Sequence, residues 1–599
     1  MTISQFARVA LAVTCIGCAG AGSRPATAPA PALSPRAAMQ AAIDSMVALP
    51  QWRNAHWGIL VVDPARGDTL YSRNAGKLFM PASNMKIVTG AVALGQLGAD
   101  YRFRTVVAAR RDSGAPLVRG GELQGDLVVI GHGDPTVSDH MFGDAMLPLL
   151  AIADSLAARG VRRVSGRLVA DGSALPGPEL GFGWSWDDLD YPYSAGVSAL
   201  YFNEGFTRVV VRGAAAAGQP ATVQARPALS VPDLVSEVQT VARPAGGATL
   251  EEPELVRDSL TGRITVQGVV AEGDSVVLSI TYANQQRAYL LALREALHRR
   301  GIIVAGGIDP RGTDRAAATD TLFTVFSPPL RDILPRLEKP SQNQIAELFL
   351  RALGLERASE GSADSGRRVV ERQLRQWGAD TTGFVIRDGS GLSRHNYLSP
   401  ETLVRVLAAV QQHPEFPAFY ESLPVAGVDG TIANRMRGTP AAANVHAKTG
   451  YIDRARSLSG YVTTADGTRL VFSVLCNNWT VPTRQVEQVQ DSIAARLAAM
   501  TLRGGARRCT RAPRRWPRCS RRSRRCRESA CPCGRRTGAS FPPTSGARST
   551  CRRGTTPAWT AMPPAPPTSA APRPSTRWSS RWWRRSPPAP RPSAPLALA

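Results

Sequence analysis

Lysine is almost missing from this 599-residue chain: four Lys stand against 68 Arg. Arginine stays protonated in proteins, whereas a desolvated lysine can lose its proton. Where only charge matters, Arg has replaced Lys, so Lys77, Lys86, Lys339 and Lys448 are the first places to look for acid–base chemistry. Cysteine is scarce too, since Cys476 is the only one between residues 19 and 500. A body with one thiol cannot rest on internal disulfides or on a Cys-ligated zinc, and its stability must come from packed cores. No run of 18 apolar residues occurs, which excludes a polytopic membrane protein. The seven histidines form no His-Glu-x-x-His or similar pattern, so no metal ligand set is expected.

Acidic residues are missing from one region only. From Thr501 to Ala599 the sequence holds 23 Arg, no Lys and a single acidic residue, Glu528, for a charge of +22. The first 500 residues carry 49 basic and 46 acidic side chains, or +3. The formal +25 therefore does not describe a nucleic-acid-binding body, and no nucleic-acid partner is expected. The 501–599 stretch also lacks Val, Ile, Asn, Gln, His and Tyr, and contains 17 Pro and six of the nine Cys. Without β-branched aliphatics it cannot write a pattern that buries a core. It reads either as a disordered basic tail or as an out-of-frame translation of GC-rich coding sequence.

The other end looks like an export signal. Arg8 precedes the apolar stretch Val9–Ile16 and then small residues, too short to span a bilayer. Cys18 after Ile16-Gly17 resembles a bacterial lipobox, with Cys15 where Leu usually stands. Two outcomes stay open for residues 1–22: lipidation at Cys18 with an outer-membrane anchor, or ordinary cleavage near Gly20–Ser23. Residues 23–36 form a Pro/Ala linker.

Two of the four lysines stand in motifs with chemistry. Pro81-Ala82-Ser83-Asn84-Met85-Lys86 is a Ser-x-x-Lys segment that follows a strand-like run, Trp57–Val62. Met85, Val88, Val92 and Leu97 recur at helical spacing, which puts Lys86 one turn beyond Ser83 on the same face. An ammonium beside a hydroxyl at a helix start suits a serine nucleophile. Alone, the same segment equally suits an N-cap serine followed by a solvated lysine. Lys448-Thr449-Gly450 offers a cation, a hydroxyl and a bare backbone for close approach of a substrate, or simply a strand ending at a turn. Ser341-Gln342-Asn343 precedes a helical stripe (Ile345, Leu348, Phe349, Leu353) and by itself reads as a cap.

Together, in this order, the three motifs resemble the signature of the penicillin-recognising serine enzymes. Ser83 and Ser341 lie 258 positions apart, and Ser341 and Lys448 lie 107 apart. That layout resembles the D-alanyl-D-alanine carboxypeptidase/endopeptidase family of class C, low-molecular-mass penicillin-binding proteins, the peptidase S13 type. Gly131–Thr136, Asp171-Gly172-Ser173, Gly183–Asp188, Asp388–Arg394, Leu423–Thr431 and Ser459-Gly460-Tyr461 are similar to family segments, and the likeness spans roughly 37–500.

The resemblance implies an α+β fold: a discontinuous transpeptidase/β-lactamase-like domain, an antiparallel sheet flanked by helices, built from 37–108 and 326–500. A β-rich accessory insertion would occupy 109–325. It further implies an exported serine-type peptidase of the periplasm or cell envelope, acting on peptidoglycan stem peptides and covalently inhibited by β-lactams. Ser83 would be the nucleophile, Lys86 the leading base, Ser341 a proton relay, and Asn343 a hydrogen-bond partner of a substrate amide. Lys448 and Thr449 would receive the substrate carboxylate, with Gly450 in the same triplet. The backbone N–H groups of Ser83 and Tyr451 would form the oxyanion hole. Arg394, and Asp171 from the insert, are candidates for contact with the charged stem peptide, against surface ion pairs. No cofactor is implied. A serine β-lactamase and a non-catalytic wall-binding protein are the alternatives.

Overall fold

The structure is a computed structural model describing residues 33–110, 118–226, 234–247, 249–258, 261–312 and 319–502. Cys18, the 1–22 signal and all of the 501–599 segment except Thr501 and Leu502 lie outside the described residues, as does most of the 23–36 linker. The first helix begins inside the expected linker, at Pro35, because Pro suits the first helical turn and the Ser34 hydroxyl accepts from Ala37 N at 3.2 Å.

Segments from both ends of the body share one sheet. Its antiparallel strands run in the order Asp68–Arg73, His56–Asp63, Arg469–Asn477, Ala455–Thr463, His446–Ile452. Successive side chains leave a strand on opposite faces. Ile59, Val61, Leu458, Phe472 and Val474 pack beneath helices Pro35–Val47 and Thr483–Ala499, whereas Leu60, Tyr461, Val471 and Leu475 face the opposite core. With both faces covered, the inner strands read as almost unbroken apolar runs.

Helix Met85–Leu97 runs through the second core, and every residue from Met85 to Leu94 is buried. A helix apolar on all sides has to be central. Helices Asn343–Ala358 and Pro400–Gln411 pack on it. Lys86 therefore sits where no lysine is expected unless its surroundings were built for it.

The chain leaves this domain through two adjacent segments. Ser327 N donates to Phe103 O at 2.9 Å, Leu330 N to Tyr101 O at 2.8 Å, and Arg331 N to Ala99 O at 3.0 Å. Beyond them, Arg104–Arg110 pairs with Thr319–Phe326 and with Asp126–Gly131 in a five-stranded mixed sheet that Leu168–Asp171 and Ile308–Asp309 complete. Strand Arg104–Arg110, counted from sequence mostly with the first catalytic segment, thus pairs with strands of the insert. Helices Met146–Ala158 and Gln285–Arg299 cover this sheet. They add one helical layer that the short Val/Leu/Ile runs did not announce. A smaller β unit, two three-stranded sheets over a core of Val209, Val211, Val266 and Ile280, fills the middle of the insert. Among the described residues, no helix is long and apolar enough to cross a membrane.

Helices Asn343–Ala358 and Ala363–Gln376 touch backbone to backbone. A Cβ on Gly366 would stand 1.8 Å from Leu350 O, and one on Gly354 2.6 Å from Glu360 O. Rotamer changes cannot relieve a clash with a carbonyl. Gly366→Ala should lower unfolding free energy by about 1–3 kcal/mol in a denaturant titration; an unchanged midpoint would mean that the helices do not pack this closely.

Candidate active site

Ser83 lies in a one-turn 3-10 helix, Ala82–Asn84, which leads into helix Met85–Leu97. The turn is pinned from two sides. Asn84 Nδ2 donates to Lys448 O at 2.8 Å, and Ser457 Oγ to Pro81 O at 2.7 Å. The edge strand His446–Ile452 is thereby held against the turn, and the approach is so close that a Cβ on Gly450 would stand 2.6 Å from Pro81 O and 2.9 Å from Ser83 N. Only glycine allows that contact.

Lys86 points back from the first helical turn, fully buried. Its Nζ donates to Ser83 Oγ at 2.9 Å, to Asn343 Oδ1 at 2.6 Å and to Ser390 O at 2.7 Å. These three acceptors come from three separate parts of the chain. Burial, followed by the nearby Lys448 ammonium, pushes the Lys86 amine down to about 7. Lys448 is also fully buried. Its Nζ donates to Thr449 O at 3.0 Å, and burial lowers its affinity for a proton, partly opposed by the Glu338 carboxylate.

Each partner has a local cause. Asn343 opens helix Asn343–Ala358, with the Gln342 side chain capping Gln344 N at 2.8 Å. Asn343 Nδ2 donates to Tyr193 O of the insert at 2.6 Å, so the amide is clamped at both ends. Ser341 lies just before this helix with φ at 67°, a left-handed conformation that turns the chain sharply out of helix Leu330–Glu338. Ser390 lies in a loop organised around one carboxylate. Asp388 accepts from Gly391 N at 2.8 Å, Ser393 N at 2.7 Å, Asn396 Nδ2 at 2.7 Å and the Trp184 indole N–H at 3.0 Å. Glu347, one turn beyond Asn343, accepts from Ser390 N at 2.8 Å and Gly389 N at 3.0 Å.

Ser83, Ser341 and Asn343 line a cavity of about 410 Å³ with Asp188, Tyr193, Arg394 and Tyr451. Lys86 and Lys448 stand behind its wall. Thr449 is nearly buried, and its hydroxyl bonds that of Thr431 at 2.7 Å. Arg394 is exposed at the rim, donating to Asp453 O at 3.0 Å, and Tyr451 is exposed beside it. Asp171 is placed elsewhere. It ends strand Leu168–Asp171, accepts from Ser173 N at 2.9 Å, and is absent from the cavity wall. The acidic residue that the insert does bring to the cavity is Asp188. A roomier hollow of about 480 Å³ along helix Leu330–Glu338, lined by Arg331, Arg336, Lys339 and His140, contains none of the motif residues. Volume alone does not pick out the cavity that holds the motif residues. Among the described residues, no group of three or more His, Cys, Asp or Glu is placed to hold a metal ion.

Residues 39–500 match the D-Ala-D-Ala carboxypeptidase 3 (S13) family. The chain belongs to this family. It is a peptidase, and so a hydrolase. This S13 peptidase is 39% identical over 471 residues to the D-alanyl-D-alanine carboxypeptidase of Actinomadura sp. (strain R39), covering 76% of this chain and 84% of that one. It is 26% identical over 436 residues to the D-alanyl-D-alanine carboxypeptidase DacB of Haemophilus influenzae, covering 72% and 87%. The crystal structure of penicillin binding protein 4 (dacB) from Haemophilus influenzae shares its fold, with a TM-score of 0.65 at 24% identity over 77% of this chain and 99% of that one. The same protein complexed with a novel β-lactam matches at a TM-score of 0.61 and 22% identity over 77% and 99%.

Three acidic residues around the Ser83–Lys86 pair and the cavity escaped the motif search: Glu338, Glu347 and Asp188. Glu347 stands at i+4 from Asn343 on one helix face, a spacing visible in sequence. Asp188 lay inside a segment already singled out, but nothing local said that it would reach the cleft.

The Gly450 contact is testable. Gly450→Ala should move the edge strand off the Ser83 turn, cut peptidase activity by about 100-fold, the scale of an ångström-sized misplacement, and lower unfolding free energy by about 1–3 kcal/mol. Wild-type activity in that variant would show that the two segments are not in contact.

Proposed function

We propose that this chain is an exported serine-type D-Ala-D-Ala carboxypeptidase and DD-endopeptidase. It would act on peptidoglycan stem peptides through an acyl-enzyme on Ser83, and be sensitive to penicillin. The observation that carries this reading is the 2.9 Å contact between the buried Lys86 amine and Ser83 Oγ. Residues 37–108 and 326–500 would be the catalytic domain, and 109–325 the accessory insert. Residues 1–22 would direct export to the periplasm or envelope, with Cys18 the residue to carry a lipid if one is attached.

In its neutral form Lys86 accepts the Ser83 hydroxyl proton as Oγ attacks the carbonyl of the penultimate D-Ala. The new oxyanion is met by the backbone N–H groups of Ser83 and Tyr451, each worth about 3–4 kcal/mol at such a site. The C–N bond then breaks, and the proton passes from Lys86 through Ser341 to the departing amine of the terminal D-Ala or of a cross-linked stem. Water attacks the resulting ester, Lys86 takes its proton and hands it to Ser83 Oγ as the ester C–O bond breaks, and the carboxylic acid product leaves. Asn343 holds a substrate amide. Lys448, from behind the cavity wall, would supply positive charge for the carboxylate next to the scissile bond, and Thr449 a hydroxyl once it turns from Thr431. On the acyl side, Arg394 and Asp188 face the stem peptide with opposite charges.

A β-lactam enters the same steps with its amide carbonyl in place of the peptide. The support is the family membership together with the β-lactam-complexed relative of the same fold. The lifetime of the adduct separates a carboxypeptidase, which holds the penicilloyl group for hours, from a β-lactamase, which turns it over rapidly.

Two measurements test this reading. Intact mass spectrometry after incubation with benzylpenicillin should show one added penicilloyl group, mapped to Ser83 and absent from Ser83→Ala. An adduct elsewhere, or full D-Ala release by Ser83→Ala, would refute the nucleophile. For wild type, kcat/KM for D-Ala release should rise with pH through a midpoint near 7 as Lys86 loses its proton, and then level off. A rate that is flat from pH 5 to 9 would exclude Lys86 as the base.

A further inference from the structure

Glu338 is the last residue of helix Leu330–Glu338 and is wholly buried. Neither of its carboxylate oxygens has a hydrogen-bond partner among the described residues. A carboxylate in that state costs several kcal/mol unless an opposite charge repays it. Its position names the charge that does so. A Cβ on Gly90 would stand 2.8 Å from Glu338 Oε1, and Gly90 is four residues, one helical turn, beyond Lys86. The carboxylate is thus seated on the lysine's own helix face, in a space that exists because residue 90 has no side chain. Leu334 and Leu337 of its own helix close the rest of that space.

Two cations act on it electrostatically without a direct hydrogen bond to it, Lys448 from strand His446–Ile452 and Lys86 from helix Met85–Leu97. The other charges that act on the lysines are further partners of each separately: Asp388 and Glu347 for Lys86, Arg456 for Lys448. Glu338 is therefore the one carboxylate shared by both ammonium groups. It stands behind them, out of the cavity wall, and touches neither Ser83 nor the space for substrate.

We propose that Glu338 is a positioning residue for the acylation step: the common counter-charge of Lys86 and Lys448, which sets the pH at which Lys86 becomes a base. This rests on Lys86 being the base that activates Ser83. An ionised Glu338 favours the charged form of both lysines, opposing their burial and their mutual repulsion. The pair titrates as a unit with it, so a change at position 338 is read at Ser83. Burial in turn raises the proton affinity of Glu338, with Lys448 and then Lys86 opposing that rise.

The test is the pH dependence of the acylation rate constant, measured with a chromogenic cephalosporin on wild type and Glu338→Gln. The amide keeps the shape and removes the charge. The variant should reach half of its own plateau at a lower pH than wild type, by up to about one unit, with the two curves converging at low pH, where burial keeps Glu338 protonated. A limb that stays in place with an intact plateau would overturn the proposal. So would a uniform loss at every pH, which is what misfolding or a purely structural role gives. Gly90→Ala supplies a second variant should Glu338→Gln fail to fold. Its methyl displaces the carboxylate, and the limb should move in the same direction, whereas an unmoved limb again overturns the assignment. A wild type that forms no adduct on Ser83 would instead sink the proposed function, and so the two failures are distinguishable.

Discussion

Two lysine side chains lie wholly inside this protein, one of them 2.9 Å from the Ser83 hydroxyl, and the surrounding structure is arranged to make that tolerable. Burial disfavours the charged form of a lysine, and a second lysine nearby disfavours it again. The Lys86 amine is consequently held near neutrality rather than at the ordinary lysine value. What keeps it in place is a set of fixed acceptors, Ser83 Oγ, Asn343 Oδ1 and Ser390 O, each at 2.6 to 2.9 Å. Such a site cannot be built by one stretch of chain, because no local segment presents three acceptors to one amine.

The insert contributes to that construction. Its 172–203 stretch lies over the catalytic helices: Tyr193 O holds the Asn343 amide, Pro192 O and Ala195 O hold Gln344, and the Trp184 indole holds Asp388. Trp184 acts on Lys86 only through the Asp388 loop, whose Ser390 carbonyl accepts from the amine. The insert is therefore tied to the part of the chain that carries the three motifs both by the paired 99–103 and 327–331 segments and by this brace. Its own sheets carry none of the three motifs.

The core of the antiparallel-sheet domain was legible in sequence for a physical reason: its elements are long, buried and periodic. Trp57–Val62, Ser459–Val462 and Leu470–Leu475 all fall within strands of the catalytic sheet, and Val486, Val489, Ile493 and Leu497 line the buried side of helix Thr483–Ala499. The Ser83–Lys86 pairing was legible because lysine is rare here, so that Lys86 and Lys448 stood out. What stayed hidden depends on long-range approach. Glu338 sits beside Lys339-Pro340-Ser341, but its burial against Gly90 is a contact across about 250 residues of sequence, with no local signature. Asp171 and Asp188 show the same limit from the other side. Both are acidic residues of family-like segments, and only the course of the 172–203 loop decides which one reaches the cavity. The insert's helices were obscured because Met146–Ala158 is rich in Leu and Ala on most faces, which blurs the amphipathic period.

The scarcity of lysine also makes the central claim directly measurable. With lysine labelled biosynthetically at 13Cε, the described body contributes four resonances, from Lys77, Lys86, Lys339 and Lys448, and Lys86→Arg assigns one of them by its loss. Titrated by NMR, the Lys86 resonance should move with a midpoint of about 7. If it moves only near the ordinary lysine value of about 10.4, the amine beside Ser83 is solvated and fully charged at neutral pH, and the account of this site is wrong.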